Sequence, residues 1–384
     1  LVNVTCSVMP PKKKRKYHDA RLRTLDLFSG CGGMAYGLRR VSVPVAYCDV
    51  NPACRRVLEQ NVLRGWLDPA PVLKDVQHLP ADLPEFDMLC AGFPCKNISC
   101  MGDRKGLTGE HSGLLRCAVQ VIADTRPAYV MLENVPHICC LTHVWKYILQ
   151  HLHQLGYDAS WTIVSAADVG ALHLRKRWFL LAKHPLRDVE PPKREPLPRI
   201  TDVLPRVDRM LRVDTLKARQ RLTMLGNVCV PQQASAAFHA LLRMHDTPPL
   251  HTFAEMPTKL PACGVMRKGV VSVCAKPNMP PHRRADIVLV PRDTGPTRQR
   301  LAKRIETPVH LTRWATPRAC MGLAPSGHRT GIAKNLTVRS KNDIQTQVRF
   351  EKHTKDGFTR RIVNPEWLEQ LMGLPAHFTD DEYK

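Results

Sequence analysis

The stretch DLFSGCGGMAYGL, running from Asp26 to Leu38, decides how the rest of the chain is read. It closes an apolar run, LRTLDLF, that has the length and character of a buried strand. Small residues follow, and then a helical pattern. A strand that passes through a glycine-rich turn into a helix lets a nucleoside cofactor approach the backbone closely. Gly30, Gly32 and Ala35 also satisfy G-x-G-x-x-A, and Asp49 follows at about the interval of a ribose-binding carboxylate. Taken alone, the segment supports a dinucleotide-binding oxidoreductase nearly as well as any other nucleoside-binding enzyme.

Outward from this turn, VAYCDV, FDMLCAG, YVMLENV and WFLLA read as further buried strands, with helical stretches such as NPACRRVLEQNVL between them. The alternation predicts an α/β domain with a doubly wound, mostly parallel, Rossmann-like sheet. Pro-rich sequence from Pro185 to Pro205 interrupts it, and VPQQASAAFHALLRM then closes a catalytic and cofactor-binding domain assigned to residues 21–244.

Two strand ends carry candidate chemistry. AGFPCKNIS places Cys95 after Pro94, in a loop at the carboxyl edge where open α/β sheets hold ligands. A thiolate there is a nucleophile if its pKa is lowered or its proton accepted; a buried structural cysteine is the plainer alternative. YVMLENV places Glu133 at the end of the next strand, where a carboxyl group seldom serves packing. The trio Cys90, Cys95 and Cys100 suggests metal ligation by spacing alone, but a strand end running into a loop does not converge three sulfurs, so no metal site is expected. With 14 cysteines and no CxxC pair, the chain reads as a reduced protein without a disulfide framework.

Together these segments resemble the ordered motifs of the cytosine-5 DNA methyltransferases. DLFSGCGG is similar to the family's cofactor loop, GFPC to its nucleophile loop and ENV to its base-binding strand. GALHLRKRWFLLA is similar to the segment with two spaced arginines, Arg175 and Arg177, and LGNVCVP to the motif that completes the cofactor pocket. The resemblance implies S-adenosylmethionine as methyl donor, bound by Phe28, Gly30, Gly32, Asp49, Asp75, Asn227 and Val228. It implies Cys95 as nucleophile toward a flipped cytosine, Glu133 as the group that protonates the ring, and Arg175 and Arg177 steadying the base, its phosphate or Cys95. His173 stands where many members carry glutamine. LGNVCVP also precedes the variable region instead of following it, an order that resembles a branch found in phage and large-virus enzymes.

The formal charge of +23 points to a polyanionic partner, most simply nucleic acid, although membranes and heparin-like polymers attract basic proteins too; with the resemblance, double-stranded DNA is the expected one. Between His251 and Val363 there are 22 Lys/Arg against 7 Asp/Glu. Residues 245–363 are therefore read as a smaller, irregular DNA recognition lobe, with Arg313 and Arg318 flanking Trp314 as candidate DNA contacts. A basic tail is the alternative; ADIVLV and HLTRWATP argue against it. Residues 364–384, containing NPEWLEQLMGLP, are expected to form a helix that packs back on the catalytic domain. Deletion from Thr247 onward is accordingly expected to leave a foldable core. Residues 1–20 read as a basic leader in which Pro10 to Lys16, PPKKKRK, resembles a nuclear import signal; Met9 is a candidate start. The expected protein is a monomer, without a membrane span, working in the nucleus or wherever a viral or phage genome is replicated. Relatives that methylate transfer RNA, and non-catalytic DNA-binding relatives, are the competing readings.

Overall fold

The structure, a computed structural model, describes residues 20–94, 110–171, 173–200, 210–211, 215–277 and 362–382. Five apolar runs become the centre of one sheet: β1 (Leu22–Leu27), β2 (Ser42–Cys48), β4 (Met88–Ala91), β5 (Tyr129–Asn134) and β7 (Lys176–Lys183). Two short or polar strands complete this part, β3 (Val72–Leu73) and β6 (Asp158–Ser165). The order is β3-β2-β1-β4-β5-β7-β6. Strands β1 to β5 run parallel, whereas β7 is antiparallel to both its neighbours. The chain leaves β1 toward β2 and β3, then returns to the other side of β1 at β4. That reversal opens a crevice beyond the paired ends Leu27 and Ala91, the place where such sheets bind ligands.

Helices cover both faces because β1, β4 and β5 are buried on both. Leu25, Leu89 and Val130 face one side and pack under α3 (Glu110–Thr125) and α4 (Thr142–Gln154). Leu22, Met88 and Met131 face the other, under α1 (Gly33–Leu38), α5 (Leu216–Asn227) and α6 (Pro231–Met244). Helix α2 (Pro52–Leu63) begins as its sequence dictates: Asn51 accepts from the Ala53 amide and Pro52 takes the first position, where no amide hydrogen is needed.

The expected boundary at residue 245 does not mark the edge of the sheet. Residues 251–273 form β9 (His251–Thr252), β10 (Cys263–Arg267) and β11 (Val270–Val273), and β10 pairs with β6. The sheet thus continues to ten strands. ADIVLV and HLTRWATP fall outside the described residues. A further two-stranded pair joins β8 (Met210–Leu211) to β12 (Ile362–Val363).

The terminal segment starts with α7 (Pro365–Leu371) and buries Trp367, Leu368, Met372 and Phe378 on the face covered by α1, α5 and α6. Glu369, fully enclosed, accepts from Arg221 Nη2 of α5 at 2.9 Å, the His377 amide at 2.7 Å and the Thr379 amide at 2.8 Å. Asn61 of α2 donates to both Cys31 O and Phe378 O, so the segment reaches the glycine turn. Deletion from Thr247 onward would strip β9 to β11 and all these groups from the core, which corrects the expectation of a foldable remnant. Glu369→Ala, which removes the fully buried partner of Arg221 and leaves it only the longer contact to Asp380 at 3.6 Å, is expected to cost about 3 kcal/mol, read as a lowered midpoint of chemical denaturation. Among the described residues no helix is long and apolar enough to cross a membrane.

Candidate active site

The cofactor end of the crevice is built by hydrogen bonds between strand ends. Ser29 locks β1 to β2: its hydroxyl donates to Asp26 O at 2.7 Å and accepts from the Cys48 amide at 3.1 Å. The turn then passes through left-handed backbone at Phe28, φ 56°, and Gly30, φ 57°. For Phe28 that conformation is strained and persists only because its surroundings hold it. Asp49, just past β2, accepts from the Gly30 amide at 2.8 Å and from the Asn51 amide at 2.8 Å, so one carboxylate fixes the turn and the entry to α2. Burial pushes its pKa up. A Cβ at Gly30 would meet no atom within 4 Å, which leaves room for a ligand against the backbone. Asp75, two residues past β3, caps the following turn by accepting from the Gln77 amide at 3.0 Å and sits 3.5 Å from His78.

The far motif arrives by close packing. A Cβ at Gly33 would lie 2.1 Å from Val228 Cγ2, so only glycine lets α1 seat against the residues that follow α5. Val228 is buried there, while Asn227 beside it is exposed.

Glu133 and Arg177 form the chemical end. Glu133 pairs in register with Phe179 of β7, and Arg177 lies two residues before Phe179, hence on the same face. Arg177 Nε stands 2.8 Å from Glu133 Oε1. The contact is close but not aligned as a hydrogen bond to that oxygen, so it acts as an ion pair. Burial raises the Glu133 pKa, against the pull of Arg177 and Arg175. Across the crevice, a Cβ at Gly92 would come 3.4 Å from Glu133 Oε2, and Asn134 Nδ2 donates to Phe93 O at 3.1 Å. The run Gly92-Phe93-Pro94 is thereby tied to the end of β5, one residue short of Cys95. Cys95, Arg313 and Arg318 themselves lie outside the described residues.

A model of the C-5 cytosine-specific DNA methylases matches residues 22–224. The chain belongs to that family.

Relatives within it include the Type II methyltransferase M.CviJI of Paramecium bursaria Chlorella virus IL3A, 36% identical over 171 residues, which are 44% of each chain. The Type II methyltransferase M2.BsuMI of Bacillus subtilis (strain 168) is 31% identical over 168 residues, 42% of each chain. The chain spans less than half the length of these curated relatives. Among solved structures, the S. pombe Dnmt2 methyltransferase is 24% identical, covers 44% of this chain and 52% of its own, and has a TM-score of 0.36, too low to decide anything.

In this chain the two expected arginines part company. Arg177 reaches Glu133, but Arg175 is wholly enclosed and gives its guanidinium to Gly226 O at 2.8 Å and Val228 O at 2.5 Å. These contacts join it to the segment LGNVCVP; Cys95, its expected neighbour, lies outside the described residues. His173 is equally enclosed; burial and the neighbouring Arg175 charge push its pKa down to about 3, so the ring is neutral. Of the metal trio, Cys90 is buried in β4, and Cys95 and Cys100 are outside the described residues. Sequence reading passed over Asn134 and Gly92, although both neighbour motif residues. It also passed over Val50, an apolar side chain 67% exposed beside Asp49.

Proposed function

We propose that this protein transfers a methyl group from S-adenosylmethionine to carbon-5 of a cytosine flipped out of double-stranded DNA. One observation carries the reading: a buried carboxyl, raised in pKa and oriented by Arg177, faces the pinned Gly92-Phe93-Pro94 run that leads into Cys95.

The residues of the crevice fit the donor. Gly30 offers open backbone, Asp49 a carboxylate for ribose hydroxyls, and Val50 an exposed apolar surface for a base. Phe28, Gly32, Asp75, Asn227 and Val228 complete the proposed set. When bound, the donor supplies an electrophilic methyl on a sulfonium.

Cytosine is a poor nucleophile at carbon-5. Attack of the Cys95 thiolate on carbon-6 turns the ring into an enamine that is nucleophilic there. Glu133 hydrogen-bonds and protonates the ring at nitrogen-3, drawing off the developing charge. Arg177 occupies the Oε1 side of that carboxyl, so Oε2, on the Gly92 side, is the oxygen turned to the base. After methylation the carbon-5 proton passes to solvent, the carbon-6–sulfur bond breaks to expel the thiolate, and the nitrogen-3 proton returns to the Glu133 carboxylate, which restores the ring. The base must leave the duplex for any of this to occur.

Residues 278–361 we assign to DNA recognition. The topology supports it at both ends. Strand β11 runs antiparallel to β10, which is antiparallel to β6, so the chain leaves β11 at the same edge as Glu133. There Lys276 pairs with Asp168 at 3.0 Å, next to the turn that precedes Arg175. The chain returns at β12 beside the segment that holds the glycine turn. The basic region thus starts at the crevice edge of the sheet, and its far end runs into the terminal helix α7. With LGNVCVP ahead of it, this keeps the order read for the phage and large-virus branch. All groups named come from one chain, for which we propose a monomer; Pro10 to Lys16 we carry as a nuclear import signal.

Labelled S-adenosylmethionine offered with duplex DNA or transfer RNA tests the reading. Label is expected in cytosines of the DNA; label in transfer RNA alone would overturn it. Replacing residues 278–361 with a short Gly/Ser linker is expected to keep donor binding and lose site choice in bisulfite sequencing. Unchanged site choice would return the region to a basic tail.

A further inference from the structure

The two carbonyls that Arg175 engages lie on either side of a single residue, Asn227. Gly226 O is 2.8 Å and Val228 O 2.5 Å from the same guanidinium nitrogen, Nη2. Leu225, Gly226, Val228 and Cys229 are buried, and only Asn227 among them is exposed. The backbone around one outward-facing side chain is therefore gripped from beneath by one cation.

The grip is rigid at its other contacts. The Arg175 carbonyl accepts from Gln233 Nε2 at 2.7 Å, and the same nitrogen donates to Val164 O at 2.8 Å, so Arg175 is fastened to β6 and α6. Val228 is wedged against Gly33 in the glycine turn, where no side chain larger than hydrogen fits. A buried guanidinium is costly unless its hydrogens and charge are met. Here Glu133 offsets part of the charge, and the carbonyls at the end of α5, which have no partners within the helix, accept the hydrogens of Nη2.

We infer that Arg175 is a positioning residue for the methyl donor: by clamping the carbonyls flanking Asn227, it holds Asn227 at the rim of the pocket opposite the glycine turn, and it does not touch DNA. This rests on the proposed use of S-adenosylmethionine. The rival role is a simple cap on α5 that serves the fold alone. The two roles differ in whether Arg175 acts through Asn227.

The experiment measures S-adenosylmethionine affinity by calorimetry and duplex DNA affinity by fluorescence anisotropy. It compares the full-length wild type, Arg175→Lys, Arg175→Gln, Asn227→Ala and the Arg175→Gln/Asn227→Ala double variant. Glutamine keeps an NH₂ donor without the buried charge, so it stands in if the lysine variant does not fold. Both single Arg175 variants are expected to weaken donor binding about tenfold, and the double variant to bind no more weakly than Asn227→Ala alone. KM for the donor should rise by a larger factor than kcat falls, with DNA affinity unchanged. Additive losses in the double variant, a loss of DNA affinity with donor binding intact, or failure of both Arg175 variants to fold would each overturn the inference. A wild type with no affinity for the donor would instead remove the proposed function, and the inference with it.

Discussion

Cys95→Ala is expected to abolish methyl transfer while donor binding persists. The residues assigned to the donor are held by contacts that do not involve Cys95: Asp49 on Gly30 and Asn51, Ser29 across β1 and β2, Arg175 beneath Asn227. Calorimetric titration with S-adenosylmethionine should therefore give a near wild-type constant. Turnover should vanish because carbon-5 becomes nucleophilic only after a thiolate adds to carbon-6, and alanine offers no such bond. The chain is prepared for that nucleophile. Phe93, 3% exposed, is buried under the crevice, its carbonyl held by Asn134, so the residue after Pro94 starts from a fixed point beside Glu133. Residual turnover above a few per cent would rule out Cys95. As a companion, duplex DNA with 5-fluorocytosine should trap wild-type protein in a covalent complex, because fluorine does not leave as a cation and elimination stops. The alanine variant should form none.

The strands at the centre of the sheet were legible because each is a short apolar run buried on both faces. Strand β6 was not: Ser160 and Thr162 are as buried as any leucine, yet they read as polar surface. Their burial follows from neighbours far along the chain, Ser160 donating to Leu241 O at 3.0 Å. Strands β10 and β11 were submerged in a window whose basic, Pro- and Gly-rich composition pointed elsewhere, although CGVMR and VVSV pair with each other as a short hairpin. Helix α5 was hidden for a different reason. Its buried face carries Arg221, which makes sense only beside Glu369 of the terminal segment.

The site divides in the same way. Asp49 was found by its interval after the glycine pattern, and Glu133 because a carboxyl at the end of a buried strand is conspicuous. Arg175 and Arg177 looked equivalent, two cations one residue apart. What separates them is the partner: a carboxylate on β5 for Arg177, backbone carbonyls for Arg175, and carbonyls have no signature in a sequence.

Glu133→Gln is expected to lower turnover by about 10²-fold or more, the scale of losing a positioned proton donor. Glutamine matches the shape and can still hydrogen-bond the base, but it cannot protonate nitrogen-3. The amide also ends the ion pair with Arg177, though Arg177 remains held by Lys176 O at 3.0 Å. Affinity for ordinary duplex DNA should change far less, because most of it comes from phosphate contacts elsewhere. The pH dependence gives an independent check. Burial raises the Glu133 pKa, so its protonated fraction falls as pH rises through that value, and this limb of the rate descends with pH. Ionisation of a nucleophilic thiol has the opposite sign and gives a rising limb. Single-turnover methyl transfer by the wild type should therefore follow a bell, and the glutamine variant should keep only the rising side. Near-full activity of the variant across the neutral range would make Glu133 a structural partner of Arg177, and the protonation of the base would have to be sought in another group.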